Sequence, residues 1–481
     1  MTEQSLKEKT AKGLFWGGVS NGVQQLLNLF FGIFLARLLS PSDYGMVGML
    51  TVFSALASIL QEGGFISALT NRKQTNHKDY NAVFWFSCLM GISMYSLLFF
   101  CAPLIARFYN QPELTSLARL SFLSFLISST NVAPRAFLFK RLKTKENAII
   151  SFFALTFSGI LGIILAYNGF AYWGIAIQTI AFTTGTTILS YYYSGWKPSL
   201  QIDFTPIKEM IGYSSKLIIT HAFQIVNNNL FSIVLGKFYS EKEVGYFNQA
   251  NKWSTMGYTT INGMLTSVAQ PVLAILSNNE QQQLNALRKM LRFTAFISFP
   301  AMFGLSFTAN ELITIAVTEK WLPSASSMQI LCIGGAFLPI SGLFSNLILS
   351  RGHSSVYMWN TIALSLSQLI SAYLLYPYGI TQMLYAFIAI NIGWTFIWLF
   401  FVQREVKLRT MDFLRDISPY LILSMITIPA TSFITNGIEV VELRLLCKIG
   451  LVGILYLSIL WKADSTILKE TIHFIFKKKR I

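Results

Sequence analysis

The sequence predicts an all-α integral membrane protein of about fourteen transmembrane helices, arranged as two pseudo-symmetric six-helix lobes plus a C-terminal helix pair. Three observations carry that expectation: an apolar composition, a self-repeat at a spacing of 200 residues, and a lopsided distribution of basic residues. Hydrophobic residues make up 53% of the chain and charged ones 12%, against roughly 25% charged in soluble domains. The mean hydropathy is +0.52. Such a chain belongs in a bilayer.

A hydrocarbon core about 30 Å thick asks for about 20 apolar residues per helix. Stretches of that kind fall at 14–36, 44–69, 82–106, 114–134, 146–167, 170–194, 210–236, 244–276, 290–310, 325–349, 355–376, 378–402, 414–435 and 444–461. The first follows a charged segment, is too long for a signal-peptide core and lacks a small-residue cleavage site, so it reads as an uncleaved span. The eighth is long enough to include an amphipathic lead-in, and the last pair is where the count is most open. Polar connectors at 195–209 and 404–416 divide the chain into an N-lobe over 1–194, a C-lobe over 210–403 and a helix pair over 417–462, with a basic tail over 463–481. Loops between spans are short and leave no room for a soluble catalytic domain.

The repeat is visible without gaps. Gln24, Asn28, Phe31, Ile33, Leu35, Ser40, Gly45, Ser54, Gly63 and Ser67 recur as Gln224, Asn228, Phe231, Ile233, Leu235, Ser240, Gly245, Ser254, Gly263 and Ser267. Arg37 with Lys237, Asp43 with Glu243 and Phe53 with Trp253 keep the same register. Apolar composition inflates matches of Leu and Phe, but it does not place Gln, Asn, Ser and Gly in step. Six spans per half is an even number, so the halves enter the bilayer alike and are expected to be related by an axis along the membrane normal. Two related halves in one apolar chain are a recurring plan of secondary transporters, which makes transport the first functional expectation. The turns 39–45 and 239–245 each offer Ser, an acidic residue and Gly where one helix ends and the next begins.

The net charge of +16 is a topology signal and not a nucleic-acid one. With the N-terminus inside, 28 of the 37 Lys and Arg residues fall in interior segments. The other nine are Arg37, Arg107, Arg119, Lys237, Lys242, Lys252, Lys320, Arg444 and Lys448. This positive-inside bias puts both termini in the cytoplasm, with Lys477 to Arg480 against anionic headgroups. Cys88, Cys101, Cys332 and Cys447 lie in apolar stretches without metal-ligand or CxxC spacing, and read as small buried hydrophobes.

Several runs carry a family resemblance. Ala36 to Gly45 (ARLLSPSDYG), Glu62-Gly63-Gly64-Phe65 followed by Asn71-Arg72-Lys73, Ala82-Val83-Phe84-Trp85, and Pro103 to Tyr109 are similar to bacterial polysaccharide-export flippases of the lipopolysaccharide, O-antigen and colanic-acid type. These lie within the multidrug/oligosaccharidyl-lipid/polysaccharide exporter superfamily. The resemblance is dense over 10–145 and looser beyond. It implies a V-shaped pair of lobes that carries an undecaprenyl-diphosphate-linked oligosaccharide from the cytoplasmic to the periplasmic leaflet of the inner membrane. Membrane lipids and polysaccharide polymerase or assembly proteins would be its partners.

Polar residues inside spans mark the candidate site. Asn21, Gln24, Gln25 and Asn28 occupy i, i+3, i+4 and i+7, one face of a helix. His221, Gln224, Asn227 and Asn228 form the corresponding face of the second half. Such faces point at protein or water, away from lipid; they either glue helices together or wall a hydrated substrate cavity. Glu62 and His221 are the candidates for coupling to H+ or Na+, an intramembrane carboxylate being costly. Glu62 has two alternatives: a cap for a helix break at Gly63-Gly64, or an interfacial position. For a diphosphate, Arg135, Lys216 and Lys252 are the candidate cations, with snorkelling to headgroups as the alternative.

No phosphate loop, HExxH or GxSxG motif occurs, so neither an enzyme nor ATP-driven transport within this chain is expected, and no cofactor or metal is implied. Three functions compete: a lipid-linked oligosaccharide flippase, a drug or metabolite exporter of the same superfamily, and a membrane polysaccharide polymerase or ligase. The last would be expected to expose a large outer loop carrying Arg and His, and the exterior loops here are short and lack His.

Overall fold

In the computed structural model, residues 22–62, 65–72, 75–141 and 143–477 are described, and every regular element among them is helical. The chain forms two compact units that divide after Gly245. Nine helices or helix pairs among the described residues are long and apolar enough to cross a membrane.

The first unit holds α1 (Gly22–Leu38), α2 (Pro41–Glu62), α3 (Phe65–Asn71), α4 (His77–Tyr109), α5 (Leu114–Ser121), α6 (Leu123–Lys140), α7 (Thr144–Tyr167), α8 (Ala171–Ser194), α9 (Thr205–Asn228), α10 (Leu230–Phe238) and the start of α11 (Glu241–Ile275). Three expected spans are each broken in two, the second between Glu62 and Phe65 where α2 gives way to α3. The seventh breaks at Asn229, whose side-chain amide donates to the Ile225 carbonyl at 2.9 Å, a local bond that competes with the helix ladder. The fourth breaks at Phe122.

One end of this unit is organised by family-motif residues. Ala82, Val83 and Phe84 are buried with Phe65, Leu69, Ala133, Trp196 and Ile207. Beside them, Asn81 and Trp85 strap the connector to α4: Asn81 Oδ1 accepts from the Ser199 amide at 2.9 Å, Asn81 Nδ2 donates to the Gln201 carbonyl, and Trp85 Nε1 donates to the Ser199 carbonyl at 2.8 Å. Asp203 then accepts from the Thr205 amide at 2.9 Å just before α9; the Thr205 hydroxyl first, and its amide next, hold the Asp203 carboxyl below the usual carboxylate range. The Lys140 ammonium donates to the Leu69 carbonyl at 2.8 Å and to that of Arg72, placing a cation on the open carbonyls at the end of α3.

The second unit holds the rest of α11, then α12 (Glu280–Phe307), α13 (Ala309–Val317), α14 (Pro323–Gly335), α15 (Leu338–Ser350), α16 (Ser354–Leu375), α17 (Ile380–Val406), α18 (Thr410–Thr435), α19 (Val441–Lys462) and α20 (Thr466–Lys477). The span expected over 325–349 is two helices. Pro339, in the first turn of α15, has no N–H to give the Gly335 carbonyl. The Ile340 amide turns to the Phe337 carbonyl at 3.1 Å, and Ser298 Oγ donates to the Ala336 carbonyl so freed at 2.8 Å. Another helix, α20, stands where the sequence suggested a tail, seated through buried Ile467 and Leu468.

Two ion clusters tie α18 and α19 to this unit. Arg288 grips Asp416 with two bonds of 2.7 and 3.1 Å, and Asp412 lies 3.5 Å away. At buried Glu311, Lys448 Nζ lies 2.8 Å and Arg444 Nε 3.0 Å from the same carboxylate oxygen, the second near enough for charge attraction but not aligned as a hydrogen bond. Lys448 also stands 4.2 Å over the Phe307 ring. Glu311→Leu removes the shared anion and strands a buried cation, a loss on the order of 3–5 kcal/mol. Unfolding in detergent should show that drop, and a smaller one for Arg444→Leu, whose side chain is 33% exposed.

Candidate functional site

The repeat in sequence is a repeat in structure at its turns. Within the first unit α1 ends at Leu38 and α2 begins at Pro41, while α10 ends at Phe238 and α11 begins at Glu241. Ser40 caps α2 reciprocally with Asp43: Ser40 Oγ accepts from the Asp43 amide at 3.2 Å, and Asp43 accepts from the Ser40 amide at 2.9 Å. Ser240 Oγ accepts from the Glu243 amide at 3.3 Å in the same position.

The two turns then meet across a pair of glycines. A Cβ on Gly45 would overlap the Glu241 carbonyl, and one on Gly245 would overlap the Pro41 carbonyl. Glycine is required at both positions because backbone lies where a side chain would start. Polar contacts flank this clasp. Gln111 Nε2 donates to Glu241 Oε2 at 2.9 Å, Lys237 Nζ donates to the Phe108 carbonyl at 2.7 Å, and Thr51 Oγ1 donates to Asn229 Oδ1 at 2.9 Å.

On α1, Gln24 is half-buried, and Gln25 and Asn28 are exposed. Leu26, Phe30 and Phe34 are exposed too, but at about 100° per residue they lie on the far side of the helix. So α1 has two open faces, one apolar and one carrying amides. Asn21 lies outside the described residues.

On α9, His221 and Asn228 are exposed, Gln224 and Asn227 half-buried. His221 Nδ1 and Gln224 Oε1 are 3.1 Å apart, and Asn227 Oδ1 is buried without a hydrogen-bond partner. Exposed Phe223 lies opposite His221 and Asn228 but on the same side as Asn227.

Arg135 projects as an exposed side chain from α6, and Lys252 is half-buried on α11 in the second unit. The side chains of Lys216 and Glu62 lie outside the described residues; the backbone of Glu62 closes α2. Its neighbour Gln61 is buried and donates to Ser128 Oγ at 3.0 Å.

Sequence reasoning passed over three features. Thr51 and Asn229 join α2 to the α9–α10 break, and neither belongs to a polar stripe. The third is a face of α11: Asn248, Asn251, Thr255, Thr259, Asn262 and Thr266 follow one another at helical spacing, and Asn262 Oδ1 is buried without a partner. That spacing is readable in the sequence, inside the stretch 244–276 that carries the amphipathic lead-in. The cysteines are free thiols.

Known proteins agree with this architecture. The family profile described as polysaccharide biosynthesis protein matches residues 34–326, well over half of the chain. The chain belongs to this polysaccharide biosynthesis protein family. Among curated family relatives, the lipopolysaccharide biosynthesis protein WzxC of Escherichia coli (strain K12) is 22% identical over 358 residues, 73% of this chain and 72% of its own. The teichuronic acid biosynthesis protein TuaB of Bacillus subtilis (strain 168) is 22% identical over 466 residues, 95% and 96% of the two chains. Among solved structures, the lipid II flippase MurJ, in an inward closed conformation, superimposes with a TM-score of 0.75 at 19% identity, covering 93% of this chain and 99% of its own. The protein therefore shares the fold of the lipid II flippase MurJ, and the regular elements among its described residues are all helical. It is a multi-pass membrane protein of a polysaccharide biosynthesis family.

Gln111→Cys and Glu241→Cys, whose native side chains touch, should be joined efficiently by a short bifunctional thiol reagent. Adding Gly45→Ala or Gly245→Ala, which forces the two turns apart, should lower the cross-linked fraction several-fold on a denaturing gel.

Proposed function

We propose that this protein flips an undecaprenyl-diphosphate-linked oligosaccharide across the cytoplasmic membrane by alternating access, for surface polysaccharide biosynthesis. The observation that carries this reading is the placement of the α1 amides: Gln25 and Asn28 are open to a medium on the side away from exposed Leu26, Phe30 and Phe34. Lipid satisfies the apolar side and cannot satisfy the amide side. The α9 set, in step by the repeat, extends the hydrophilic wall that meets the sugar. Helices α1, α8, α9, α11 and α16 fall outside the nine apolar candidates; counted as spans alongside them, they make fourteen.

Both termini face the cytoplasm in this reading, since interior segments hold most of the Lys and Arg. The clasped turns then lie on the exterior side, where they seal the path and part to release cargo. Residues 1–194 and 210–403 act as the two lobes. Arg135, Lys216 and Lys252 serve the diphosphate along its path. Glu62 and His221 are the residues at which a H+ or Na+ gradient would bias one arrangement over the other, since a driving ion must bind the two states with different affinity.

Deleting the gene should leave lipid-linked glycan in the inner leaflet; an outer-leaflet pool of unpolymerised units would instead mean a polymerase or ligase. Gln24→Leu combined with Asn228→Leu should cut export about tenfold, the scale of one or two lost hydrogen bonds of about 1 kcal/mol each, with normal membrane levels. Unchanged export would remove the amide-lined path. Proteoliposomes that move small organic cations and leave lipid-linked glycan in place would mark a drug exporter.

A further inference from the structure

In the second unit, α11, α12 and α20 enclose an apolar cavity of about 400 Å³. Its walls include Val268, Val272, Met290, Phe293 and Ile467. The α11 wall lies beside Pro271, which interrupts that helix's hydrogen-bond ladder. Exposed Met264, Val268 and Phe293 continue the cavity onto the apolar surface of the unit, so an aliphatic chain can enter from the bilayer without crossing a polar barrier.

Two charges stand in the lining. Lys289 Nζ of α12 and Glu470 Oε2 of α20 are 2.6 Å apart, and both side chains are more than half exposed. The neighbouring cations of α12 are engaged elsewhere: Arg288 holds Asp416 and Asp412, and Arg292 lies 3.8 Å from Asp416. The slot therefore presents apolar walls with one cation and one anion side by side, and the pair carries no net charge.

We infer that this cavity is a binding site for a zwitterionic phospholipid of the phosphatidylethanolamine class. One acyl chain fills the slot, the phosphate meets Lys289, and the primary ammonium meets Glu470. Charge complementarity selects the occupant. An anionic headgroup would satisfy Lys289 and be repelled by Glu470, whereas a zwitterion satisfies both and replaces one exposed ion pair with two. Bound lipid would bridge α12 and α20 and fix the terminal helix against the unit. This role is independent of the transported cargo.

The test is native mass spectrometry of the full-length protein released from micelles carrying equal phosphatidylethanolamine, phosphatidylglycerol and lipid-linked oligosaccharide. Wild type should retain one phosphatidylethanolamine in preference to phosphatidylglycerol. Val268→Trp, a change at a half-exposed wall residue, should fill the slot and reduce that retention about tenfold; Glu470→Gln should abolish the preference between the two phospholipids, and Lys289→Gln should weaken both about tenfold, the scale of one charge-assisted contact. Equal retention of the two by wild type, retention unaffected by Val268→Trp, or loss of lipid-linked oligosaccharide rather than phosphatidylethanolamine in that variant would each overturn the assignment. The Val268→Trp protein should keep the wild-type elution volume in size exclusion, so that lost lipid is not lost fold.

Discussion

The exchange between Gly45 and Gly245, each lying against the other turn's carbonyl, is the constraint on which the first unit depends. A helix start normally carries side chains that hold a neighbouring helix about 8–10 Å away, axis to axis. Where both partners are glycine, backbones can touch, and the approach is specified by what is missing. Ser40 and Ser240 satisfy amides at the two helix starts, so this proximity costs no unpaired groups there. Because Glu241 also receives Gln111, and Lys237 reaches Phe108, the second repeat's first hairpin is held by charge and hydrogen bonding as well as by shape.

Much of this was legible in the sequence, and for identifiable reasons. Ser40, Gly45, Ser240 and Gly245 stood out because a turn restricts residue type, and restricted positions survive duplication in register. The amide faces were legible because lipid penalises stray polar groups. One break inside a span was legible, at Gly63-Gly64, where α2 ends at Glu62 and α3 begins at Phe65. Others were not, because Pro339 and Asn229 sit in runs apolar enough to read as continuous, and only the three-dimensional partners, Ser298 Oγ and Thr51 Oγ1, show where a freed carbonyl or amide goes. The family motif Ala82-Val83-Phe84-Trp85 signalled kinship, yet nothing in its pattern announced that three of the four are core and that the fourth pins the connector. The α20 helix was hidden by the basic residues that follow it.

Helices α8 and α18 share a way of living in a bilayer. On α8, the hydroxyls of Thr179, Thr183, Thr184 and Thr187 each bond a carbonyl four residues back. On α18, Ser424, Thr427, Thr431 and Thr435 do the same. A hydroxyl so paired is nearly silent toward lipid, which lowers mean hydropathy without creating a site. Amides cannot hide this way, having more donors and acceptors than one carbonyl can absorb. That difference is why the Asn, Gln and His faces of α1 and α9 carry the functional reading and the threonine stripes do not.

The strap from Asn81 and Trp85 to Ser199 and Gln201 bears on the order of assembly. During synthesis from the N-terminus, α4 is inserted long before residue 199 is made. The later segment therefore arrives at a finished docking place, and α9 emerges already aimed at the bundle it joins. Since the first unit closes only once Gly245 has been laid against Pro41, a nascent chain halted at residue 194 would lack the piece contributed by the following repeat. The first unit is thus completed by residues that lie beyond its own six spans.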